Sequence, residues 1–158
     1  MAGRRDLIKM TPAEVVAFLD EERTVVCATN GRSGYPHLMP LGYVVREGCL
    51  WAWTFAKSQK VKNLERDAHA TVQVEAGAEY QELRGVMLEC DVTLHHDLDV
   101  VTELGLEIFG RYSGDASGQV ADGVREMVQG QAAKRVGMEF VERSRTTWDH
   151  RKLATGVY

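Results

Sequence analysis

From Val86 to His95 the chain alternates without a break. Val86, Leu88, Cys90, Val92 and Leu94 are apolar, and Met87, Glu89, Asp91, Thr93 and His95 take the other phase. A period of two is the mark of a strand with one face in a core and the other outside it. We expect this strand to run from Tyr80 to His95 and to be the longest in the protein. Other strand-type runs lie at Val25–Asn30, Tyr35–Arg46, Cys49–Phe55, His69–Glu75 and Val136–Trp148. Most are joined to their sequence neighbours by turns such as Asn30-Gly31-Arg32-Ser33-Gly34, Glu47-Gly48 and Ala76–Glu79. That is an antiparallel meander, not a βαβ repeat.

Helical signals fall between the strands. Thr11 can cap a helix with Pro12 at its first position and Glu14 completing a capping box, and Val15, Phe18 and Leu19 give it an apolar face. It should end near Glu22–Arg23. Leu98, Val101, Leu104 and Ile108 set a helix over Leu98–Tyr112. Ser113–Gly118 reads as a loop, and Gln119–Ala133 as a further helix through Val120, Val124, Met127 and Val128. Pro36 and Pro40 limit how their strand can pair. About six strands and four helices suggest a small antiparallel barrel with helices outside.

Cys49–Leu64 carries the chemistry. Leu50, Trp51, Trp53 and Phe55 are strand residues, and Val61 and Leu64 suit one face of a short helix. Ser58 is placed to cap that helix, with Lys57 just before it and Lys60 in its first turn. Helix N-termini carry unsatisfied N–H groups and a partial positive charge, so added cations there are unfavourable unless an anion compensates. The pattern points to a phosphate-sized anion site. Against it stands the ordinary reading, in which both lysines point into water.

A chain of 158 residues suggests one domain across 1–158. With 44% hydrophobic and 27% charged residues it resembles an ordinary globular protein. A net charge of -4 argues against a general nucleic-acid binder. Cys27, Cys49 and Cys90 are scattered and odd in number, so reduced thiols in a cytoplasmic protein are expected. MAGRRDLIKM has no apolar core of a secretory signal, and no run is long enough to span a membrane.

Three stretches together resemble the flavin-reductase-like split β-barrel family, the pyridoxamine-phosphate-oxidase-like proteins. They are Gly34-Tyr35-Pro36-His37-Leu38-Met39-Pro40, then Lys57-Ser58-Gln59-Lys60-Val61-Lys62-Asn63-Leu64, and Arg135-Val136 through Trp148-Asp149-His150-Arg151-Lys152-Leu153. Within the family the chain looks most like the actinobacterial branch that binds the deazaflavin F420. The resemblance implies a mainly β fold with helices, an antiparallel six-stranded split β-barrel of the FMN-binding type. It also implies a homodimer with two interfacial cofactor sites. The cofactor phosphate would lie at Lys57, Ser58 and Lys60, with Asn63 in the same stretch. The ring would lie along Leu38–Tyr43, where His37, Met39, Pro40 and Leu41 are the contact candidates. Trp148, Asp149, His150 and Arg151 would come from the partner subunit.

The implied activity is an F420-dependent reductase passing a hydride to a small conjugated or aromatic acceptor. An FMN-dependent enzyme on the same scaffold and a non-catalytic cofactor or tetrapyrrole binder are the alternatives. FMN also carries a phosphate, so the lysines do not discriminate. The substrate-binding residues of true pyridoxamine-phosphate oxidases cannot be located at the C-terminus, which argues against that activity. No nucleophile–base set is evident and no catalytic residue is assigned. His95-His96-Asp97 lacks a third ligand at sensible spacing and reads as a strand end. Trp51 and Trp53 read as core or interface residues, Cys27 and Cys90 as inert core thiols. Asp149-His150 reads as a salt-bridge and cofactor-contact pair.

Overall fold

A computed structural model describes residues 3–114, 121 and 123–153. Six strands, β1 (Thr24–Asn30), β2 (Pro36–Arg46), β3 (Cys49–Phe55), β4 (His69–Ala76), β5 (Arg84–His95) and β6 (Arg135–Asp149), close into an antiparallel barrel in the order β1-β2-β3-β6-β5-β4. The described residues also form α1 (Arg4–Leu7), α2 (Pro12–Glu21), α3 (Gln59–Arg66), α4 (Leu98–Ser113) and α5 (Val124–Ala132). Helix α2 begins as the sequence predicts. Thr11 Oγ1 accepts from the Glu14 N–H at 3.2 Å, and Glu14 Oε2 accepts from the Thr11 N–H at 2.7 Å.

The alternation of β5 holds, but two expectations change. Tyr80–Glu82 is a 3-10 turn and the strand starts at Arg84, because the alternating burial begins only at Gly85–Val86. The longest strand is therefore β6, with 15 residues. A fifth helix, α1, precedes the four expected ones. Ser113 closes α4 and Gly114 follows it in the left-handed region, at φ 71°. Of the expected Gln119–Ala133 helix, Val124–Ala132 is seen, while Gln119 and Val120 lie outside the described residues, as do 115–118 of the expected loop.

Inward-facing residues of the strands fill the barrel. Val25, Cys27, Tyr43, Leu50, Val72, Val86, Leu88, Cys90 and Phe140 join Val15, Phe18 and Leu19 of α2 in one cluster. Trp51 and Trp53 face outward and pack with Val44, Leu104 and Ile108 beneath α4, which makes them a satellite core. Arg46 and His95 both stack on the Trp51 ring, His95 pairs with Glu139 at 2.8 Å, and Asp97 caps α4.

The strand β2 is shared between two neighbours, and this positions the site. Pro36–Gly42 pair with β1, whereas Tyr43–Arg46 pair with β3. The switch falls at Gly42, where an added Cβ would sit 2.6 Å from the Tyr112 hydroxyl, so any larger residue would have to displace that ring. Ahead of it the β2–β3 ladder stops at Tyr43 and Ala52, leaving a seam between Pro36–Leu41 and Trp53–Phe55. Prolines suit that open edge, where no ladder N–H is needed.

Candidate functional site

The seam ends at the turn from β3 into α3. The turn is fixed by Ser58 N–H donating to Phe55 O at 3.0 Å and Ala56 N–H donating to Lys134 O at 2.9 Å. Ser58 occupies the N-cap position with extended backbone, yet its side chain makes no capping bond. Its Oγ is buried without a hydrogen-bond partner. The first turn of α3 contains no acidic residue. An orphan hydroxyl beside free helix N–H groups is a polar arrangement completed by an added acceptor.

The two lysines separate. Lys57 is exposed at the rim. Lys60 points inward, is only 5% exposed, and donates from Nζ to Thr54 Oγ1 at 2.9 Å. Burial lowers its pKa, partly offset by the neighbouring Cys27 thiol. An ammonium carries three donors, and Thr54 uses one. Asn63 is fully buried; its Nδ2 donates to Thr29 Oγ1 at 3.1 Å and its Oδ1 accepts from Gln59 Nε2 at 2.9 Å. Across the ladder from Thr29 stands His37, whose Nδ1 is also buried and unpartnered. Leu38, Met39 and Pro40 are exposed along the seam, and Leu41 turns into the core cluster.

Thr29 and Thr54, which bond Asn63 and Lys60 in the candidate site, were not expected from the sequence. The readable signal was their phase. Each is a hydroxyl at an inward position, after Val25 and Cys27 in β1 and after Leu50 and Ala52 in β3.

The C-terminal candidates gather elsewhere. The Trp148 ring covers Gly85, its ladder partner, and occupies the space a Cβ would take. Asp149 is 4% exposed and is forked by Arg151, from Nε at 2.9 Å and Nη2 at 2.7 Å. These bonds hold the Asp149 carboxyl below its usual pKa. His150 is bonded from Nδ1 to Tyr80 O at 2.8 Å and rests against the Tyr80 ring. Asp149 and His150 thus have separate partners, so they form an ion pair and a ring contact and not an acid–base couple. This cluster lies at one end of β6. The Lys57–Asn63 group lies near the other, where Arg135 pairs with Phe55. Within one chain the two halves of the expected site do not meet.

Burial pushes the Cys27 thiol up to about 11 and Cys90 up to about 12, so neither is a nucleophile near neutral pH. All three cysteines are free.

The profile of the pyridoxamine 5'-phosphate oxidase family matches residues 11–141. The chain belongs to that family. A conserved hypothetical protein of Mycobacterium tuberculosis is similar over 98% of both chains, at 35% identity and a TM-score of 0.85. An F420 reductase shares the fold at 18% identity and a TM-score of 0.61, over 82% of this chain and 93% of the other. A heme storage protein of Vibrio cholerae shares it at 12% identity and 0.63, over 87% and 94%. Among curated proteins none matches the chain. The barrel is thus the split barrel of the pyridoxamine 5'-phosphate oxidase family. The family match ends at Val141, ahead of Trp148 and the Asp149–Arg151 cluster.

Proposed function

We propose that this member of the pyridoxamine 5'-phosphate oxidase family is a homodimeric oxidoreductase that uses reduced F420 to reduce a small conjugated or aromatic acceptor. The carrying observation is the polar seat at the β3–α3 turn: the unpartnered Ser58 hydroxyl, the free α3 N–H groups and the Lys60 ammonium with donors to spare, at the end of an apolar strip. That donor set suits a phosphate. Lys57 guards the rim, and Leu38, Met39 and Pro40 offer a flat surface to a ring. A bound deazaflavin would supply the hydride. The protein's share is to fix the phosphate, shield the ring and orient the acceptor.

Two features support the dimer. Tyr35, Leu38, Met39 and Phe55 are exposed apolar residues that a partner would cover. In a twofold dimer the C-terminal cluster of one chain can reach the seam of the other and complete the site. The whole chain acts as one cofactor-binding domain, and its free thiols suit the cytoplasm.

FMN is the alternative occupant, because its phosphate fits the same seat. A non-catalytic binder is the reading if binding occurs without turnover. Parallel fluorescence titrations with F420 and FMN decide, with sedimentation velocity on the same samples. Saturable micromolar binding of F420, weaker binding of FMN and a dimer are expected. Saturation by neither cofactor overturns the reading.

A further inference from the structure

A second cleft lies between the N-terminal segment and the far ends of β5 and β6. Two long-range bonds build it: Asp149 N–H donates to Ile8 O at 2.7 Å, and Met10 N–H donates to Thr147 Oγ1 at 3.0 Å. These bonds hold Lys9 and its neighbours over the strands as a wall. The cleft has a volume of about 880 Å³, within the range of small-molecule sites. Its apolar surface comes from Ile8, Met10, Met87 and the Trp148 ring.

The charges are unbalanced. Lys9 is paired with Asp6 at 2.8 Å, and Arg145 is forked by Glu142 at 2.5 and 2.7 Å. Arg5 lines the same cleft and, among the described residues, has no hydrogen-bond or ion-pair partner. One cation is therefore left over in a chain whose net charge is -4. An aromatic ring, two thioethers and a free guanidinium together select a flat apolar molecule that carries a carboxylate or sulfonate.

We propose that this cleft is a binding site for a planar aromatic anion, with the ring against Trp148 and the acid group on Arg5. The inference rests on the oxidoreductase reading only in naming that molecule as the acceptor, brought by one chain to its partner's seam.

The test uses the full chain without cofactor and two probes with the same rings. One is 1-anilinonaphthalene-8-sulfonate and the other the uncharged N-phenyl-1-naphthylamine. We expect one sulfonate probe per chain, excited by energy transfer from tryptophan, with the uncharged probe bound more weakly. Trp148→Phe should reduce the transfer. Arg5→Gln should weaken the sulfonate roughly tenfold, Arg5→Lys should restore most of it, and neither should alter the uncharged probe. Equal affinity for the two probes, or native-like sulfonate binding by Arg5→Gln, overturns the site. These titrations contain no cofactor, so their outcome is independent of the F420 and FMN titrations. In the loaded protein, an acceptor that is reduced and also displaces the probe supports its placement in this cleft. An acceptor reduced without displacement overturns that placement.

Discussion

Asn63 donates from Nδ2 to Thr29 Oγ1 at 3.1 Å in the closed interior, and this bond ties α3 to β1. The contact sets how the helix N-terminus meets the seam. Asn63→Ala removes it, leaves the buried Thr29 hydroxyl without that donor, and releases the exposed Gln59 amide to water. We expect a loss of about 1–3 kcal/mol, read from urea unfolding, because a buried polar group loses its partner. Thr29→Val should cost a similar amount, and the double variant less than the sum.

Lys57→Glu should leave the fold unchanged, since the side chain is exposed. Cofactor affinity should fall by about 1.5–3 kcal/mol from the lost charge-assisted contact, with repulsion added. Fluorescence titration measures it. Unchanged affinity would mean that the phosphate does not sit at this turn.

Lys60 gives a pH signature. Burial lowers its folded-state pKa below the unfolded value. Between those two values the unfolded chain holds the extra proton, so stability rises with pH across that window. In Lys60→Met the rise should flatten. Urea midpoints measured from neutral to alkaline pH check this. Phosphate-bearing ligands should bind the native protein less well as pH climbs through the lowered value, because the ammonium is lost.

The Asp149–Arg151 fork acts at the acid end. The folded pKa of Asp149 is depressed, first by its hydrogen bonds from Arg151. The stabilisation is complete above the ordinary carboxylate value and disappears as pH falls through the depressed one. Arg151→Met leaves a buried carboxylate short of its main partner, and because the Arg151 side chain is itself half exposed the cost should be about 1–2 kcal/mol at neutral pH. The acid-unfolding midpoint, followed by circular dichroism, should move upward.

Much of this was legible locally. The alternation in Val86–Leu94 and the Thr11–Glu14 box report on neighbours in sequence, and both strand and cap formed where expected. The family resemblance carried by Lys57–Leu64 held for the same reason. What failed to show depends on distant partners. No local pattern says that the Lys60 amine turns inward, since Thr54 and the barrel wall decide it. Nor could the spacing reveal that Asp149 bonds to Ile8, or that the rings of Tyr80 and His150 meet. The Trp148–Arg151 candidates lie together at the end of β6, but their separation from Lys57 within one chain required the strand register.

The position of β6 between β3 and β5 bears on biosynthesis. The strand that joins the two halves of the barrel is the last of the six described strands in chain order. Until Arg135–Asp149 leaves the ribosome, β1–β3 and β4–β5 have only the β1–β4 pairing between them, and the edges of β3 and β5 stay open. Such edges invite pairing with other nascent chains. Closure by a terminal strand demands contacts far apart in sequence, which slows folding. Barrel completion therefore waits for β6, and a chain cut short before Arg135 should be a substrate for chaperones and proteases instead of a closed barrel.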